Sequence, residues 1–276
     1  MESFSSDGVR IAYIDTGNAA GATGSAAAGE AARAAESRAG RTAAGDPVLL
    51  IHGFASSVRD NWQDPGWVDV LLRAGFRVIA MDNRGHGESE KLYDPAAYTA
   101  PIMAEDAHRL LDHLGLARAN VMGYSMGARI TAFLALAHPE RVRSAIFAGL
   151  GANMVRPMAG TGPIAAALEA ASIDEVQNPT ARTFRAFAEK TGSDLRALAA
   201  CIRGGRDPIS REVIATLRCP VLVVTGSEDV IGGRAEDLAA LIPGAEALTV
   251  PRRDHMRTVG DRVYKDGVLA FLRRRA

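Results

Sequence analysis

Short unbroken apolar runs alternate with stretches of helical spacing along most of this chain. Residues 48–51, 77–81, 119–122, 145–148, 221–224 and 247–250 are brief, mainly apolar runs. Runs of this length, rich in Val, Ile and Leu, read as strands buried on both faces. Between them, residues 67–74, 102–114, 126–137, 234–241 and 263–273 carry apolar positions at helical spacing. Strands alternating with helices predict an α/β chain: a mostly parallel central sheet with helices on both faces. The amino-terminal run differs. Residues 9–16 alternate apolar and polar, as a half-exposed strand does. Asp7-Gly8 ahead of them is a hairpin signal that pairs the run with Phe4 and its neighbours.

Two stretches break the rhythm. Residues 18–45 hold no apolar residue larger than alanine. They cannot bury a core and read as a low-complexity Ala/Gly insertion, with at most a marginal surface helix in the middle. Residues 152–219 have no strand pattern, only helical patches at 164–171, 182–190 and 194–202, separated by Gly, Pro and Asn. They read as a small helical cap inserted between two sheet strands. The core is then 1–151 and 220–276.

Composition narrows the classes. A chain of 276 residues, 47% of them apolar, can bury a sizeable core. Its formal net charge of +0 gives no basic surface for nucleic acid. No apolar run is long enough for a membrane span, and the first residues lack the basic start and apolar core of a secretory signal. Cys201 and Cys219 are not in a C-x-x-C pair and read as free thiols, so the expected location is cytoplasmic.

The chemistry gathers where strands end, as it does in open parallel sheets. Gly123-Tyr124-Ser125-Met126-Gly127 is a G-x-S-x-G pentad with a strand before it and a long apolar helix after it. That setting is a nucleophile elbow: a sharp turn exposes the serine oxygen to a base on one side and an oxyanion site on the other. Other strand ends supply His52-Gly53-Phe54, the run 82–89, Asp229 and His255. A nucleophile, a carboxylate and a histidine therefore follow in the order Ser, Asp, His. Glu228 and Asp254 compete with Asp229, and Asp254 adjoins the histidine too closely in sequence to reach its ring well. No P-loop is present, Gly149-Leu150-Gly151 lacks the third glycine of a dinucleotide loop, and His108 and His113 are wrongly spaced for one zinc. No cofactor or metal is expected.

These motifs together resemble the α/β-hydrolase superfamily, esterase- and lipase-like serine hydrolases in particular. The resemblance covers nearly the whole chain except the 18–45 insertion. It implies the α/β-hydrolase fold, with Ser125 as nucleophile, His255 as base and Asp229 as the group that orients the imidazole. The backbone N–H groups of Phe54 and Met126 are the implied oxyanion donors. Serine in the pentad, where haloalkane dehalogenases and epoxide hydrolases need a carboxylate, points to an acyl substrate. The expected reaction is hydrolysis of a carboxylic ester or related acyl compound through an acyl-enzyme. A C–C bond hydrolase, a lactonase, an acyltransferase and a ligand receptor on the same scaffold remain alternatives. Phe54, Trp62, Met126, Met154, Met158 and Met256 are candidate walls of an apolar pocket, with core packing the competing reading for each methionine. Arg129 and Arg156 leave an anionic substrate open.

Overall fold

The structure is a computed structural model that describes residues 1–18, 45–157, 161–204 and 208–275. Most of the insertion expected at 18–45, and the pocket candidate Met158, lie outside the described residues. Eight strands form one sheet: β1 (Glu2–Ser6), β2 (Val9–Asp15), β3 (Pro47–Ile51), β4 (Arg77–Met81), β5 (Ala119–Tyr124), β6 (Val142–Ala148), β7 (Val221–Gly226) and β8 (Glu246–Val250). Their order across the sheet is β1-β2-β4-β3-β5-β6-β7-β8. The β1–β2 and β2–β4 pairs are antiparallel and every other pair is parallel. The hairpin between β1 and β2 turns at Asp7 and Gly8, with φ values of 51° and 82°.

Alternation along each strand divides the interior in two. Leu49, Ile51, Ile79, Met81 and Val121 join one apolar cluster. Val48, Leu50, Val78, Ala80 and Met122 join the other, on the opposite face. Successive strand side chains point to opposite faces, so a parallel strand covered twice must be apolar throughout. The second cluster is closed by α1 (Trp67–Arg73) and by the last helix (Arg262–Arg273). The first is closed by α2 (Ala100–His113), α3 (Met126–Ala137) and the helices that follow β6. Those are α4 (Thr161–Glu169), α5 (Pro179–Lys190), α6 (Leu195–Arg203) and the single turn α7 (Arg211–Ile214). Among the described residues, no strand lies between β6 and β7. After β7 come α8 (Ala235–Ala239) and, past β8, α9 (Arg262–Arg273).

Helix starts follow local chemistry. Thr99 accepts from Ile102 N–H and Asn178 accepts from Ala181 N–H, each as an N-cap. A proline stands in the first turn of both helices, where its missing N–H costs nothing. No helix is long and apolar enough to cross a membrane among the described residues.

Candidate active site

Ser125 sits between β5 and α3 with φ 54° and ψ −109°. Such a conformation costs a serine on the order of 1–3 kcal/mol and persists only where its surroundings enforce it. Two enforcing contacts are visible. Ser125 N–H donates to the Ala148 carbonyl at 2.7 Å, tying the turn to β6. Two glycines let strand and helix close on the turn. A Cβ on Gly123 would lie 2.1 Å from the Gly127 carbonyl oxygen, and one on Gly127 would lie 1.9 Å from the Ile51 carbonyl oxygen.

The histidine comes from the loop after β8. Asp254 Oδ1 accepts the N–H groups of Met256 and Arg257, which closes that turn and spends Asp254 locally. The Tyr124 hydroxyl, buried beneath the site, donates to the His255 carbonyl. Burial holds that phenol well above its ordinary pKa, with the Asp229 charge adding to the effect, so it stays a donor. His255 Nε2 lies 3.0 Å from Ser125 Oγ, and its Nδ1 lies 2.9 Å from Asp229 Oδ2. Asp229 follows β7 and is itself oriented: its Oδ1 accepts the N–H groups of Ile231 at 3.0 Å and Gly232 at 2.7 Å. Glu228, the rival acid, is exposed, and the carboxylate against the ring belongs to Asp229. A carboxylate facing Nδ1 fixes the proton there and leaves Nε2 bare toward Ser125.

The loop after β3 lies against the elbow. A Cβ on Gly53 would sit 3.3 Å from the Tyr124 carbonyl oxygen and 3.5 Å from Ser125 Cβ. This loop is held from behind by Asn61, whose Oδ1 accepts the Gly53 N–H at 3.0 Å, and it turns through Ala55 at φ 58°. Phe54 follows Gly53, and Met126 is the first residue of α3, where an N–H has no acceptor within the helix. His52 is wholly buried. Its Nδ1 faces the Gly53 carbonyl at 2.7 Å, and its Nε2 accepts the Asn83 N–H at 2.9 Å. Burial pushes its pKa down against the pull of Asp82. It rivets two loops as a neutral ring. Asp82 likewise accepts from the backbone N–H groups of Val58 and Glu88.

A cavity of about 370 Å³ opens onto Ser125 and His255. Phe54 and Met256 line it, as the sequence suggests. Trp62 and Met154 do not. Trp62 is wholly buried with its ring edge-on to Trp67, in the core on the far face of the sheet. Met154 is wholly buried in the nearer core cluster. Met126 is also core-packed, at 4% exposure. The walls that sequence reasoning missed are on α5, where Thr180, Thr183, Phe184 and Phe187 all line the cavity. Their i, i+3, i+4, i+7 spacing is the signal that marks one helix face. Val230 and Ile231, just past Asp229, also line the cavity.

Among the described residues, a second cluster of donor groups lies far away. Glu105, His108 and His138 bring ligand atoms within 4.8 Å of one another. They gather near the end of α3, about 18 Å from Ser125 by helix rise. His138 Nε2 is already 2.7 Å from Glu105 Oε1, and Arg141 Nη1 faces His108 Nδ1 at 3.4 Å.

Comparison with known proteins agrees with this architecture. A family model described as alpha/beta hydrolase fold matches residues 46–191. The chain is 33% identical over 248 residues to the dihydrolipoyllysine-residue acetyltransferase component of an acetoin cleaving system from Pseudomonas putida, covering 83% of this chain and 64% of that one. It is 37% identical over 108 residues to 2-hydroxymuconate semialdehyde hydrolase of Pseudomonas sp. (strain CF600), covering 39% of this chain and 38% of that one. It thus spans less than two thirds of either relative. A solved hydrolase from Pseudomonas aeruginosa PA01 superposes with a TM-score of 0.72 at 26% identity, covering 98% of this chain and 97% of that one. With the family model matching more than half its length, the chain belongs to the alpha/beta hydrolase fold family.

Proposed function

We propose that this protein hydrolyses a carboxylic ester or related acyl compound through an acyl-enzyme on Ser125. The observation that carries the reading is the unbroken hydrogen-bonded path from Asp229 through His255 to Ser125 Oγ, opening on a largely apolar cavity. Ser125 Oγ attacks the acyl carbon while His255 Nε2 takes its proton, and a C–O bond forms. Negative charge then develops on the former carbonyl oxygen, where the N–H groups of Phe54 and Met126 are the assigned donors. Removing one such donor typically costs about 10²–10³-fold in rate. When the intermediate collapses, the ester C–O bond breaks and His255 returns its proton to the departing alcohol. Water then attacks the acyl-enzyme by the same route. Residues 152–219 act as a cap, with α5 the part that faces the acyl group.

The test is labelling by a fluorophosphonate probe together with turnover of short p-nitrophenyl esters, with Ser125→Ala as control. The wild-type protein is expected to take the label and release nitrophenolate, and the variant to do neither. Absence of both in the folded wild-type protein removes the reading. Cleavage of a carbon–carbon bond is a second reading, favoured by the likeness to 2-hydroxymuconate semialdehyde hydrolase. Labelling without ester turnover, joined to cleavage of a dienol-type carbon acid, would select it.

A further inference from the structure

The charge of the acyl group can be read from the cavity wall. Neither of the two arginines that left an anionic substrate open lines this cavity. Arg129 is buried at 3% exposure, and its guanidinium donates to the carbonyls of Met154 at 3.2 Å and Asn153 at 3.3 Å. Arg156 lines a separate cleft with Arg211 and Asp237. Among the described residues, neither a lysine nor an arginine lines the cavity over Ser125. The wall does contain a carboxylate. Asp60 stands in it beside Asn61, and the apolar side chains Phe184, Phe187 and Met256 line the same cavity.

Asp60 is half-buried, and the polar partner of its side chain is the Ser57 hydroxyl, which donates to Oδ2 at 2.6 Å. A hydroxyl leaves the charge in place. Among the described residues, no lysine or arginine forms an ion pair with Asp60. Arg59 faces Asp64 at 3.6 Å. Lys91 Nζ donates to the carbonyls of His86, Gly87 and Ser89. Arg59, Lys91 and Lys190 line the neighbouring open cleft, which Asp60 also borders, and not the cavity over Ser125. A second carboxylate brought into the cavity would therefore lose its hydration, face a fixed negative charge and find no cation on the wall.

We propose that Asp60 is a specificity residue that restricts the cavity to compounds whose buried part is uncharged or cationic, and that acyl chains ending in a carboxylate are rejected. This deepens the acyl-hydrolase reading, because it rests on the cavity over Ser125 being the substrate site.

Binding rather than turnover is the cleaner test, since it does not need the reaction to be correctly assigned. Isothermal titration at pH 8 and low salt would compare 4-phenylbutyramide with 4-phenylbutyrate, on the wild-type protein and on Asp60→Asn. The amide should bind the wild-type protein about tenfold more tightly. In Asp60→Asn that ratio should shrink to within about threefold through a gain on the carboxylate, with amide affinity kept within about twofold. Raising the salt to about 0.5 M should narrow the wild-type ratio as well, because the charge is partly solvated. Unchanged amide affinity shows that the variant is folded around an intact cavity. Equal affinities in the wild-type protein, binding of neither compound, or an unaltered ratio in Asp60→Asn would overturn the assignment. Failure of the probe to label Ser125 while the charge selection persists would count against the acyl-enzyme alone.

Discussion

In the proposed mechanism the Ser125 hydroxyl gains a base only while His255 keeps a bare Nε2, and Asp229 is the group placed to decide that. Its carboxylate can only accept, so the ring proton is held at Nδ1. An asparagine there can donate instead and turn the proton onto Nε2, facing the serine. Asp229→Asn is therefore expected to lower kcat by about 10⁴-fold with little change in KM. Glu228→Gln, on the exposed neighbour, should stay within about twofold. Steady-state rates on one p-nitrophenyl ester check both, and a strong effect of Glu228→Gln would reverse the acid assignment. That Ser125, His255 and Asp229 meet was legible from sequence, because chain order, strand ends and local turn chemistry all bear on them. The pocket walls were less so. Trp62 and Met154 are large and apolar, but size does not say which side of a loop a side chain faces, and both went into the core. Phe184 and Phe187 lie in a segment whose sequence pattern shows only helical spacing. Their spacing carried the information, but which face of α5 met the cavity depended on packing.

At the scale of elements, the elbow is a close approach of backbones rather than a property of the serine alone. On Gly127 a Cβ would meet the Ile51 carbonyl oxygen at 1.9 Å and the His52 carbonyl oxygen at 2.8 Å. Neither can move without disturbing β3 and the loop that carries Phe54. Gly127→Ala should destabilise the fold by about 3–5 kcal/mol, among the larger effects a single substitution has. Gly162→Ala is the matched control. A Cβ there meets nothing within 4 Å, and the residue lies in α4. It should be neutral or stabilise by up to about 1 kcal/mol, because alanine narrows the unfolded ensemble. Urea midpoints for the two variants test the contrast, and similar midpoints would mean that the elbow relaxes more easily than its geometry implies. Element identity was largely readable from periodicity. Boundaries slipped where prolines intervened: the helices expected from 102 and 182 begin at Ala100 and Pro179. Proline in the first helical turn looks like a break in the pattern but is favoured there. The strand expected from 145 begins at Val142, where the half-buried Arg143 interrupts the apolar run.

Over the whole molecule, the strand order could not be read from the chain, because it depends on long-range pairing that periodicity does not encode. What the assembled fold does determine is how its stability responds to pH. His52 is buried as a neutral ring whose Nε2 accepts a backbone N–H, and burial lowers its pKa below the ordinary 6.5. His108 is shifted down as well, by burial and then by the adjacent His138. Below pH 6.5 the unfolded chain takes up protons at these positions that the folded chain resists, so stability falls as pH falls through that value. The slope approaches at most about 1.4 kcal/mol per pH unit for each group. On the alkaline side the order is reversed. Burial raises the Cys219 thiol from 9.0 to about 11. Tyr13 is raised from 10.0 to about 12, first by burial and then by Glu2, and burial holds Tyr124 and Tyr264 well above 10.0. Above pH 9 the unfolded thiol loses its proton first, and above pH 10 the unfolded phenols follow while the folded ones hold theirs. Stability should therefore be greatest between about pH 7 and 9 and decline on both sides. Urea midpoints taken every half unit from pH 5 to 11 would trace this curve. His108→Gln should soften the acid limb without removing it, because His52 remains. Cys219→Ser should delay the alkaline onset toward pH 10. A midpoint that stays level from pH 6.5 to 5 would mean that His52 can be protonated inside the fold, and that the neutral rivet between the two site loops is not required to hold them.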